Sequence, residues 1–200
     1  MPREFYARGA AALARALLGR VLVAGRGRAA IAGRIVEVEA YRGAVDPASH
    51  AYRGLTPRNR VMFGPPGHAY VYFTYGMHHC VNVVAAREGV AEAVLIRALE
   101  PLVGLARMRA RRGEVADVRL ARGPGCVAQA LGLTRADDGA DLVRGRLWIA
   151  DQPAELGGYL VVAGPRIGIR VGTERHWRFW LAGHPAVSGP RRALSAGVPR

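Results

Sequence analysis

The spacing of hydrophobic positions changes several times along the chain, and each change marks an element. From residue 4 to 18, apolar residues including Ala11, Leu13, Leu17 and Leu18 recur at helical spacing, and Gly19 supplies a stop signal. The period then drops to two, which predicts a short strand over 21–24 and a longer one over 30–41 containing RIVEVEAY. Residues 42 to about 66 are rich in Gly, Pro, Asn and Arg; a connection this long without its own regular structure usually carries function. HAYVYFTYGMHHCVNVVAA (68–86) is two β-prone runs meeting at Gly76-Met77, the pattern of a hairpin. AEAVLIRALEPL (91–102) predicts another strand, and residues 102–112 return to helical spacing, ending in Arg109, Arg111 and Arg112 before Gly113. GPGCVAQALGL (123–133) reads as a loop entering a short helix, while RLWIAD, YLVVAGPRIGIRV and HWRFWLAG make the last quarter strand-rich. The tail after Gly189 is expected to fray. Without a repeat or a linker-like stretch, the pattern predicts one α+β domain over 1–200, antiparallel in character, with a few helices.

Composition narrows the function classes. Half of the 200 residues are hydrophobic, enough for a core without disulfides, and Cys80 and Cys126 are too few for a disulfide framework or a zinc ligand set. No metal or cofactor is expected. Arg8 and Arg15 interrupt the apolar start, and no run is long enough to span a bilayer, so a cytoplasmic protein without membrane contact is expected. The formal charge is +14, and all 29 basic residues are arginine. GC-rich codon usage accounts for arginine in place of lysine, but not for 29 basic against 15 acidic residues. That excess points to a polyanion, because neutralised phosphates release condensed counterions and arginine makes bidentate phosphate contacts.

Three segments carry chemistry. Along RIVEVEAY, alternation sends Val36, Val38 and Ala40 to one face and Glu37, Glu39 and Tyr41 to the other. That second face is either a catalytic edge leading into the loop with His50, or an ordinary solvated strand face. Tyr70, Tyr72, Phe73 and Tyr75 crowd the hairpin, where rings either stack on an extruded base and wedge into a duplex or pack across strands. Asn82 lies among valines, so a buried amide there is structural glue or a pocket wall. His78, His79 and Cys80 alternate in direction and so cannot converge on one metal ion without distortion. With no lysine, Schiff-base chemistry would fall to the Pro2 amine after loss of Met1, and the following Arg3-Glu4-Phe5 does not support it.

Taken in order, RIVEVEAY, DPASHAYRGLTPRNRVMF, YVYFTYGMHHCVN, LIRALEPLVGL, GPG, RIGIR and WRFWLAG resemble the 3-methyladenine (alkyladenine) DNA glycosylases from about residue 10 to 188. The resemblance implies a single compact domain around a curved antiparallel sheet with a protruding β-hairpin, acting as a monomer on double-stranded DNA bearing damaged purines. It implies a monofunctional enzyme that flips an alkylated purine from the duplex and hydrolyses its N-glycosidic bond, starting base excision repair. By motif match, Glu39 would be the general base with Arg97 beside it. Tyr41 and His50 would sandwich the base with Tyr72 against it, and Asn82 would bar the exocyclic amine of guanine. Tyr75 would intercalate, with Met77 by the wedge. Deaminated and etheno-bridged purines would also be within reach.

One departure is visible. The family's Gly-Pro-Gly-Lys-Leu is Gly123-Pro124-Gly125-Cys126-Val127 here, which removes a lysine that Arg122 could replace. Two other readings stand beside the glycosylase: a damaged-DNA-binding protein without turnover, and a carbohydrate hydrolase using Glu37 and Glu39, whose Cα atoms would lie roughly 7 Å apart on a strand.

Overall fold

The computed structural model describes residues 1–74, 76–151 and 155–189. Their framework is an eight-stranded antiparallel sheet with helices packed against it. The strands are β1 (Val21–Ala24), β2 (Ile31–Arg42), β3 (Ala69–Thr74), β4 (His78–Ala85), β5 (Glu92–Val103), β6 (Leu147–Ile149), β7 (Val161–Gly164) and β8 (Arg178–Leu181). The helices are α1 (Arg3–Tyr6), α2 (Ala10–Leu17), α3 (Leu105–Arg112) and α4 (Pro124–Leu131). The main path runs β3-β4-β5-β2-β1-β6, and β8 joins the free stretch of β2 beyond β1, with β7 outside it. The predicted α+β domain built on an antiparallel sheet is what the chain forms.

β2 is the axis of this sheet. One edge pairs with β5 along most of its length, while the other pairs with β1 over Ile31–Arg34 and with β8 over Glu37–Glu39. Val36, Val38 and Ala40 enter the main core with Ile96, Val83 and Phe179, as the alternation predicts. The opposite face departs from the solvated reading: Glu37 and Glu39 are both 0% exposed. Two register shifts against β5 frame Glu37, leaving Val36 unpaired on one strand and Arg97 on the other, so that they cancel. Such bulges re-aim side chains near functional sites.

Three other expectations need correction. The helix over 4–18 is two helices, because Gly9 adopts an extended conformation (ψ 150°) between them. The Ala10 N–H is capped by the Glu92 carboxylate at 2.6 Å, a partner 82 residues away that no local pattern announces. The helix over 102–112 begins at Leu105, since Leu102 and Val103 extend β5. The strand run YLVVAGPRIGIRV stops at Gly164, and residues 165–172 form an irregular segment containing Gly168 and Gly172 at φ +77° and +65°.

That segment is tied to the long connection after β2. Asp46 and Arg166, both with 0% side-chain exposure, form a bidentate pair at 2.5 and 2.7 Å, and Arg166 also donates to the Ala40 carbonyl at 3.0 Å. Asp46 further accepts the Arg42 and Ala48 N–H groups, so the carboxylate organises the whole turn out of β2. Burial opposes its ionisation, but Arg166 and these amides outweigh burial and hold its pKa below the ordinary 3.8. The predicted hairpin is β3 and β4, with Gly76 at φ +68° in its turn. Tyr75, the expected wedge, and the tail at 190–200 lie outside the described residues.

Two outcomes follow for stability. Gly43, which begins the turn out of β2, sits at φ +52°, and an added Cβ would lie 2.7 Å from the Val90 carbonyl. Left-handed backbone alone costs an L-residue about 1–2 kcal/mol, so Gly43→Ala lowers the urea midpoint correspondingly; an unchanged midpoint would show that the turn accommodates a side chain. Asp46→Asn removes one member of a buried pair and costs about 3 kcal/mol at neutral pH. Because the folded-state pKa is depressed, this stability is present above the unfolded value and lost as pH falls through the folded one. The difference between wild type and Asp46→Asn therefore shrinks on acidification below about pH 4; a difference that stays constant in acid would remove the ion pair as its cause.

Candidate active site

Strand register assembles the site. One row across five strands reads Tyr70, Asn82, Leu95, Glu39 and Arg178, and a neighbouring row reads Val84, Ala93 and Tyr41. Paired residues share a sheet face, so these side chains rise on the side opposite Val38 and Ile96. Above them opens a cavity of about 430 Å³, within the usual range for small-molecule sites. Tyr41, His50, Tyr70 and Tyr72 supply its aromatic wall; Asn82, Arg97 and residues 167–171 supply much of the remainder.

Glu39 lies directly behind this lining rather than in it. Its Oε2 accepts the Tyr41 hydroxyl at 2.8 Å, and its Oε1 accepts the Ile167 N–H at 2.8 Å with Arg97 Nη1 at 3.2 Å. All three donors belong to residues that line the cavity. Burial first, and then the Glu39 charge, holds the Tyr41 phenol well above its ordinary pKa, so Tyr41 remains a donor. The Arg97 cation resists loss of its proton: burial opposes the charge, but Glu39 and then Glu37 outweigh burial and raise its pKa.

Glu37 is spent elsewhere. Its Oε1 accepts Arg97 Nε at 3.0 Å and Arg178 Nε at 2.7 Å, and its Oε2 accepts the Ser188 N–H at 2.6 Å. It does not line the cavity. The paired-carboxylate reading for a carbohydrate hydrolase is disfavoured, because Arg178 and Ser188, which do not line the cavity, hold Glu37 away from it, whereas every donor to Glu39 belongs to a lining residue.

The remaining expected residues converge on the cavity. The His50 ring meets Tyr72 edge-on at 4.6 Å between centroids, and its Nδ1 lies 3.0 Å from the Tyr70 hydroxyl. Partial burial and then Arg58 lower the His50 pKa, which keeps the ring neutral. Burial pushes Tyr70 up to about 12 and raises Tyr72 further. Asn82 donates Nδ2 to the Tyr70 carbonyl at 3.0 Å, while its Oδ1 has no protein partner among the described residues. Met77, at 70% exposure, and Phe73 stand at the hairpin tip, apart from the cavity lining. Arg122 Nε donates to the Val187 carbonyl at 2.9 Å.

Some of the site had no sequence signal. Ile167 contributes through its backbone amide, which any residue but proline could supply, and the irregular shape of residues 165–172 hides behind strand-like spacing. Arg166 stacks on the Tyr41 ring at 4.6 Å and on Trp177 at 5.2 Å, and it reads in the sequence as one arginine among 29. Among the described residues, no three His, Cys, Asp or Glu side chains are placed to hold a metal ion, and no helix is long and apolar enough to cross a membrane.

Known proteins are similar in sequence to this chain along most of its length. The family profile for methylpurine-DNA glycosylases matches residues 4–185. A protein of Burkholderia lata is 54% identical over 197 residues, covering 95% of this chain and 91% of its own length. One from Methanoculleus marisnigri is 52% identical over 191 residues (94% and 98%), and one from Frankia casuarinae is 48% identical over 198 residues (94% and 92%). All three carry the provisional name 3-methyladenine DNA glycosylase. With a match across nearly its full length, the chain belongs to the methylpurine-DNA glycosylase family.

Proposed function

We propose that this protein is a monofunctional DNA glycosylase that extrudes alkylated purines, 3-methyladenine first among them, from duplex DNA and hydrolyses the bond to the sugar. The observation that carries this reading is a buried carboxylate, Glu39, joined by single hydrogen bonds to three residues that wall an aromatic cavity. Water attacks C1′ while Glu39 accepts its proton, and the C1′–N bond breaks with its electron pair going to the base. A purine methylated at N3 or N7 is cationic before this step and neutral after it, which makes it a good leaving group. The negative charge of Glu39 also stabilises the oxocarbenium-like sugar.

Each neighbour has a part in this reaction. Tyr41 and His50 clasp the flipped base with Tyr72 against it, and a neutral His50 avoids repelling a cationic purine. Arg97 and the Ile167 amide fix the carboxylate so that its free lone pair faces the incoming water. Asn82 presents Oδ1 to the base edge and disfavours the exocyclic amine of normal guanine. Tyr75 fills the gap left in the helix, and Met77 assists that wedge. Weakly paired lesions cost least to extrude, and ring faces attract positive charge, so selection begins before bond cleavage. Deaminated and etheno-bridged purines fit the same cavity, the protein works as a monomer, and the abasic product enters base excision repair. The excess of arginine supplies phosphate attraction, which weakens as salt rises.

Glu39→Gln tests the assignment. The amide keeps the side chain's shape and loses its charge, so the variant binds a 3-methyladenine duplex as wild type does. Its single-turnover base release falls by about a hundredfold or more. Release at the wild-type rate would remove Glu39 from the mechanism; equal failure of both proteins to release any base from defined lesions would favour a damage-binding protein without turnover.

A further inference from the structure

The strongest side-chain constellation that the mechanism leaves unused is the ion pair beneath Tyr41. Arg166 is buried and does not line the cavity, whereas Tyr41 is half-buried and does. The guanidinium lies 4.6 Å from the Tyr41 ring centroid, so a ring that lines the cavity carries a cation against it from a residue that does not. Asp46 grips that guanidinium at 2.5 and 2.7 Å, holding its positive end against the ring. Trp177 at 5.2 Å packs on Arg166 too, and itself contacts Arg42 at 5.5 Å and Arg175 at 4.7 Å. Among the described residues Arg166 Nε has no hydrogen-bond partner, so the side chain is kept here in spite of an unmet donor.

A cation on one face of an aromatic ring draws its π electrons that way and weakens the attraction of the other face for a second cation. Stacking by dispersion and area burial is unaffected, because it does not depend on charge. We propose that Arg166 is a specificity-determining residue: by polarising the Tyr41 ring it tempers the cavity's preference for positively charged purines and so favours neutral altered ones relative to them. This rests on the glycosylase reading, and it concerns the ratio between two substrate classes rather than activity itself.

A positioning role predicts something different. Arg166 holds the Ala40 carbonyl, and the next residue, Ile167, donates to Glu39, so loosening it would slow every substrate alike. Charge tuning changes the ratio. The test compares wild type, Arg166→Lys and the double variant Arg166→Met/Asp46→Asn. The double variant removes one positive and one negative charge together, leaving net charge and general DNA attraction unchanged and no lone carboxylate in the interior. Two duplexes are used, one with 7-methylguanine (cationic) and one with hypoxanthine (neutral). Single-turnover base release and equilibrium binding are measured for both.

The double variant is expected to raise the cationic-to-neutral ratio by about threefold to tenfold, and Arg166→Lys, which keeps the cation, to stay within twofold of wild type. If both substrates lose rate and affinity equally, Arg166 is structural and the inference is overturned; a shift toward hypoxanthine overturns it as well. Binding gives the ratio even where turnover is abolished. Wild type that binds both duplexes but releases neither base would instead defeat the glycosylase reading, and the binding ratio would still decide this one.

Discussion

Two carboxylates two residues apart on a strand covered on both faces would repel each other and forfeit their hydration. Arg97 makes the arrangement possible, donating Nε to Glu37 and Nη1 to Glu39, with Arg178 completing a balance of two charges of each sign. Removing one member of such a buried group leaves a bare charge in the interior, which is far costlier than never having built the group. The rest of the site inherits its precision from this set. Glu37 anchors it to the segment ending at Ser188, and Glu39 anchors it to Tyr41 and Ile167.

The same carboxylates divide labour by which donors they face. Glu37 meets two guanidinium nitrogens and a backbone amide, and of these residues only Arg97 lines the cavity. Glu39 meets donors whose residues all line the cavity. Chemically identical residues on one strand thus become a strut and a candidate base, and the difference is made by β8 and residues 165–172, segments more than a hundred residues downstream.

This separation also explains what was legible beforehand. Alternation gave the inward face of β2, and the β-prone runs around Gly76 gave the hairpin, since both depend on neighbours in sequence. The ordered family motifs pointed to Glu39, Tyr41, His50, Tyr72, Asn82 and Arg97, and these gather around one cavity. The solvated alternative for Glu37 and Glu39 could be dismissed only once their covering segments were in place. The break at Gly9, capped from β5, and the Asp46–Arg166 pair arise from contacts between residues 82 and 120 positions apart, and no local period encodes them.

The two cancelling bulges carry a consequence for how this chain can drift in length. Inserting or deleting one residue between Ile35 and Tyr41 would invert the strand's facing and exchange core valines for carboxylates. Gly54, by contrast, sits in a turn with open space around its Cα. Natural variation in length among relatives should therefore accumulate near that turn and be absent from the heart of β2, so that the spacing of Glu37, Glu39 and Tyr41 survives while the rim is free to be remodelled.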